Sequence, residues 1–119
     1  MNLSTQFDDD YTGNKKLNIS LDFDDTYTRD PDAWNSFIQL FQSRGHTVYC
    51  VTARSGKDSG EVYDTIGKII GHDKCIFANF MAKSDAVCKL KIRIDVWIDD
   101  SPYFIINGTN RDEGYGLWL

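Results

Sequence analysis

Leu17-Asn18-Ile19-Ser20-Leu21-Asp22-Phe23-Asp24-Asp25-Thr26 is the stretch on which the fold turns. Leu17, Ile19, Leu21 and Phe23 alternate with polar residues, the period-2 pattern of a β-strand. The strand runs straight into three carboxylates, Asp22, Asp24 and Asp25. Like charges this close repel, so folding alone gives no reason to gather them at a strand end. A divalent cation reverses the sign of that argument. Carboxylate oxygens are the ligands Mg²⁺ prefers. An aspartate beside a bound metal also serves as a nucleophile toward phosphorus.

Working outward, Pro31 and Asp32 open a helix, since Pro suits the first turn and Asp the positive helix end. Trp34, Phe37, Ile38, Leu40 and Phe41 recur at helical spacing, and Gly45 stands where a C-terminal glycine belongs. Residues 47–52 (TVYCVT) read as a second strand. Residues 55–59 are a polar turn. Val62, Ile66, Ile69 and Ile70 give the stripe of a second helix that stops at Gly71. Residues 74–77 read as a third strand, and residues 82–90 as a helix with Ser84 as its cap. A fourth strand, 96–98, ends in Asp99-Asp100-Ser101-Pro102. Residues 104–106 and 116–119 are expected to supply edge strands or packing. Upstream, residues 1–16 lack periodicity and read as a flexible leader, leaving 17–119 as the folded domain. Strand and helix alternate about four times, which predicts an α/β fold: a Rossmann-like parallel sheet with helices on both faces.

The 119 residues suffice for one core and one domain. No apolar run approaches the roughly 20 residues of a membrane span, and residues 1–16 lack a signal-peptide core. Cys50, Cys75 and Cys88 have no metal-site spacing and read as free thiols, which fits a reducing cytoplasm. The net charge of −5 opposes non-specific binding to a nucleic-acid backbone. Residues 67–93 nevertheless carry six Lys/Arg against two acids, either a solvated face or a rim that attracts an anionic substrate.

Ligands of an open α/β sheet bind at the carboxyl ends of its strands. Those ends carry Asp22, Asp24 and Asp25 after the first strand, Thr52-Ala53-Arg54 after the second, and Asp99-Asp100 after the fourth. Lys83 begins the helix before that fourth strand. Two acidic clusters, a hydroxyl and a lysine thus converge on one edge. Arg54 could touch a substrate phosphate or form a surface ion pair. Asp25 reads as a turn-shaping residue. His46 and His72, beside glycines at helix ends, read as surface residues.

The pattern Asp-x-Asp-x-Thr after an apolar strand resembles motif I of the haloacid dehalogenase (HAD) superfamily of phosphatases. Val51-Thr52-Ala53-Arg54 is similar to its motif II, Lys83 to motif III and Trp97-Ile98-Asp99-Asp100 to motif IV, in the family's order. The resemblance implies a role for each residue. Asp22 would be the nucleophile that forms an aspartyl-phosphate. Asp24 would be the general acid/base, with its backbone carbonyl on the metal. Asp99 would hold Mg²⁺ together with Asp22, and Asp100 would assist directly or through a water. Thr52 would bind a phosphoryl oxygen, and Lys83 would neutralise charge on nucleophile and phosphate.

The acid at Asp24 favours phosphatase over the family's dehalogenases, which lack it, and over P-type ATPases, which carry Thr there. About 30 residues separate Asp22 from the end of the second strand, and about 30 separate Thr52 from Lys83. Neither gap has room for a cap domain, so a capless, open site is expected. Such a site admits a bulky phosphomonoester and disfavours a mutase, which must enclose its intermediate. A nucleotide or a phosphorylated nucleic-acid end is a candidate substrate, the second weakly supported and opposed by the net charge. No membrane partner is expected. The alternative is a non-catalytic module of this fold that binds phosphate or a partner protein.

Overall fold

The computed structural model describes residues 15–108. The leader and the 116–119 segment therefore lie largely or wholly outside the described residues. Four parallel strands form one sheet in the order β3-β2-β1-β4, with β1 Asn18–Leu21, β2 Thr47–Thr52, β3 Cys75–Phe77 and β4 Val96–Ile98. Ile19 pairs with Val48 of β2 on one side and with Val96 of β4 on the other. β2 pairs with β3 through Cys50–Cys75 and Val51–Ile76. The α/β class and the parallel sheet are as expected.

Alternation along each strand sends side chains to two different cores. Leu21, Val48 and Cys50 face α1 (Pro31–Ser43), α2 (Gly60–Asp64) and α3 (Ile66–Ile70), where they meet Ile38, Val62, Ile66 and Ile70. Val51 and Ile76 face the other way, toward Ala86 and Val87 of α4 (Lys83–Lys89), with Tyr49 and Trp97 alongside. A sheet covered on both faces explains the nearly continuous apolar run of β2. α1 begins at Pro31, and the Asp30 side chain caps it by accepting from the Ala33 N–H at 3.2 Å. Gly45 follows that helix with φ +90°, which a residue bearing a Cβ rarely adopts.

Four expectations need correction. The stripe from Val62 to Ile70 is two short helices, broken at Thr65, whose hydroxyl donates to the Glu61 carbonyl at 2.7 Å. That back-bond competes with the regular ladder and bends the chain. The third strand starts at Cys75, because Lys74 closes a 3₁₀ turn, His72–Lys74. Ser84 does not cap α4 but lies within it: the helix starts at Lys83, with the Ala82 carbonyl accepting from Asp85 and Ala86 and with Asp85 in its first turn. Residues 103–106 form no strand but a single helical turn, α5 (Tyr103–Ile106), which Pro102 starts at φ −57°.

The strand order decides where a site can form. From β1 the chain moves outward through β2 to β3, then crosses back to place β4 on the opposite flank of β1. The order therefore reverses between β1 and β4, and a crevice opens beyond their carboxyl ends. The Asp22 N–H donates to the Ile98 carbonyl at 2.9 Å and ties the two ends together.

Candidate functional site

Asp22 is the residue after β1, and Asp99 the residue after β4. The Leu21–Ile98 pairing sets them side by side across the crevice. Lys83, the first residue of α4, reaches between them. Its Nζ donates to Asp22 Oδ1 at 2.7 Å and to Asp99 Oδ2 at 2.5 Å. Asp22 and Lys83 are both buried, and so is Thr52 at the end of β2. The Asp100 backbone N–H donates to Thr26 Oγ1 at 3.2 Å, and that hydroxyl lies 3.0 Å from Asp22 Oδ2. The Ser101 N–H holds Asp99 Oδ1 at 2.9 Å. Asp22, Asp24, Thr52, Lys83, Asp99 and Asp100 all line one cavity of about 140 Å³, so the residues expected to be catalytic or to hold metal are brought together there.

They do not all stand alike. The Asp24 carboxylate is half-exposed and turned onto Arg54, which meets both of its oxygens at 2.9 and 2.8 Å. Of the two roles the sequence left open for Arg54, the structure shows the ion pair, with Glu61 as a second carboxylate at 3.0 Å. Asp25 adopts φ +66°, and its N–H bonds Thr28 Oγ1 at 2.9 Å, so it shapes the loop after β1. His46 accepts from the Leu17 N–H at 3.0 Å, and His72 stacks on Tyr63; both serve the frame. The cations of 67–93 make no single rim: Lys83 is buried in the site, Lys74 pairs with Asp73 and Arg93 with Asp95. Sequence reasoning gave Thr26 no role beyond its place in the motif. Its hydroxyl joins the two acidic clusters, and its position four residues after Asp22 was the available signal.

The electrostatics are those of too little positive charge. Burial pushes the Asp22 carboxyl up to about 6, and Lys83 offsets this only in part, while Asp100 and Asp99 add to the rise. Asp100 is lowered, chiefly through its hydrogen bond with Asp22. Burial would pull Lys83 down, but the Asp22 and Asp99 carboxylates outweigh it and raise it. Three carboxylates thus share one buried ammonium.

Oxygens of Asp22, Asp99 and Asp100 lie within 4.8 Å of one another. Oxygens on one Mg²⁺, each at about 2.0–2.1 Å, lie at most about 4.2 Å apart, so a set this close reaches one ion with small turns of the side chains. An all-carboxylate donor set with a surplus of negative charge suits a hard divalent cation. Asp24 lies outside this set through its side chain. No protein-family model, curated protein or solved structure matches the chain.

Proposed function

We propose that this chain is a capless, Mg²⁺-dependent phosphomonoester hydrolase of the HAD type. The observation that carries the reading is the convergence of Asp22, Thr52, Lys83 and Asp99, from four separate segments, on one cavity at the point where the strand order reverses. An Asp22 oxygen attacks phosphorus and the bond to the leaving oxygen breaks, while Asp24 delivers a proton to that oxygen. Asp24 then takes a proton from water, the water oxygen bonds to phosphorus, and the phosphorus–Asp22 bond breaks to release phosphate. Lys83 holds the Asp22 carboxylate in place and offsets charge on the phosphoryl group. The Thr52 hydroxyl orients a phosphoryl oxygen. Mg²⁺, held by Asp22, Asp99 and Asp100 with the Asp24 carbonyl, would supply further charge neutralisation at the phosphoryl oxygens.

Only a 3₁₀ turn and α1 stand between β1 and β2, which supports an open mouth and a substrate of some bulk. A nucleotide and a phosphorylated nucleic-acid end both remain candidates on that ground. The free thiols of Cys50, Cys75 and Cys88 support a reducing compartment, the cytoplasm. Among the described residues no helix is long and apolar enough to cross a membrane.

One observation favours the alternative of a binding module without turnover: Asp24, the acid/base of the reading, is engaged by Arg54. Phosphate release from an aryl phosphate, with and without Mg²⁺, separates the two. The phosphatase turns over only with Mg²⁺, and Asp22→Asn abolishes release while the far-ultraviolet circular dichroism is kept. Turnover retained by Asp22→Asn overturns the assignment. Mg²⁺ binding without any turnover favours the module.

A further inference from the structure

Asp24 stands on the lip between two spaces. It lines the cavity that holds Asp22, Thr52 and Lys83, and also a wider cleft of about 570 Å³ walled by Arg54, Asp58, Gly60 and Glu61. Arg54 lines the cleft but not the inner cavity. A phosphoryl group in the inner cavity with its leaving group in this cleft would carry its bridging oxygen past Asp24.

Among the described residues, Arg54 is the only hydrogen-bonding partner of the Asp24 carboxylate, which is half-exposed and otherwise free to turn. Arg54 is itself fixed on several sides. Its Nη2 donates to Glu61 at 3.0 Å, its Nη1 to the Asp58 carbonyl at 3.2 Å, and its guanidinium lies 5.0 Å from the centre of the Phe23 ring. Its backbone N–H donates to Thr52 Oγ1 at 3.3 Å. An arginine has five N–H donors, and the four side-chain bonds to Asp24, Asp58 and Glu61 leave little to offer a phosphate. Glu61 shares Nη2 with Asp24, so Asp24 can turn one oxygen toward a substrate without stranding the guanidinium.

We propose that Arg54 is a positioning residue: forked onto both oxygens of Asp24, it aims that carboxylate at the bridging oxygen between the phosphoryl cavity and the leaving-group cleft. The proposal rests on the phosphatase reading above. It needs the planar fork, which a lysine cannot reproduce. Because Arg54 acts through proton delivery to the leaving oxygen, its loss matters most where the leaving group needs that proton.

The test compares 4-nitrophenyl phosphate, whose leaving group departs without a proton, with a simple alkyl phosphate, each with Mg²⁺. In Arg54→Lys and in Arg54→Gln, kcat/KM on the alkyl ester is expected to fall about 100-fold, the scale of a misplaced catalytic group. On the nitrophenyl ester the fall is expected to stay within a few-fold. In an Asp24→Ala background the Arg54 substitutions should add nothing further on the nitrophenyl ester. Thermal melts establish that each variant is folded, and Arg54→Lys retains the positive charge should Arg54→Gln prove unstable. Equal losses on the two esters, no loss on either, or a loss that persists without Asp24 each overturn the positioning role while leaving the phosphatase reading intact. A wild-type protein that releases phosphate from neither ester overturns the reading, and the proposal with it.

Discussion

Burial strips water from the Asp22 carboxylate faster than Lys83 can replace it, and the group titrates at about 6 instead of 3.8. The folded chain therefore binds this proton more tightly than the unfolded chain does. Between those two values the folded state holds more protons, so stability falls as pH rises through the window. The loss is complete above about pH 6 and amounts to about 3 kcal/mol for a shift of this size. Thermal melts from pH 4 to pH 8 without divalent cation are expected to show that decline, and Asp22→Asn should remove most of it and melt higher than wild type at pH 8. A stability flat across that range would contradict the burial account. At this scale the sequence disclosed which groups share the cavity, because Asp22, Thr52, Lys83 and Asp99 are named by their places at strand and helix ends. It did not disclose the Asp24–Arg54 pair or the Thr26 bridge. Those depend on where side chains point across loops, and no periodicity encodes that.

The elements follow local chemistry wherever backbone conformation is set by one residue. Gly45 is such a place: at φ +90° a Cβ is strained, and it would also sit 2.9 Å from Lys16 Cε. Gly45→Ala is expected to cost on the order of 1 kcal/mol or more, measured as a lower midpoint in urea with an unchanged slope. The elements the sequence misassigned are those governed by competition between neighbours. Apolar spacing alone runs Val62 to Ile70 together as one helix, and the break falls at Thr65, whose φ −115° and ψ −97° leave the helical region. Phe104, Ile105 and Ile106 look like strand residues by type, yet Pro102 and the Ser101 carbonyl wind them into a turn that joins the cavity wall through Phe104.

For the molecule as a whole, alternation of strand and helix specifies a parallel sheet but not the order of its strands. The crossing from β3 back to β4 is a global packing outcome, and it is what turns two separate acidic segments into one site. Because three carboxylates face one ammonium there, a divalent cation should stabilise the entire fold. At a Mg²⁺ concentration 100 times its dissociation constant the gain is about 2.7 kcal/mol. A melting temperature that climbs with Mg²⁺ in wild type, and climbs much less in Asp99→Asn, is the expected result; equal shifts in both would remove Asp99 from the binding set.

The last of the described strands to be synthesised also has a temporal meaning. β4 joins the sheet only beside β1, and the backbones of Asn18 and Asp95, 77 positions apart, are hydrogen-bonded to each other's residue at that seam. On the ribosome, β1 to β3 emerge first and can pair, with Asp22 already in place but with neither Asp99 nor Asp100 yet beside it. A nascent chain thus holds only part of the acidic cluster, and the set of Asp22, Asp99 and Asp100 closes only when β4 has left the exit tunnel and docked.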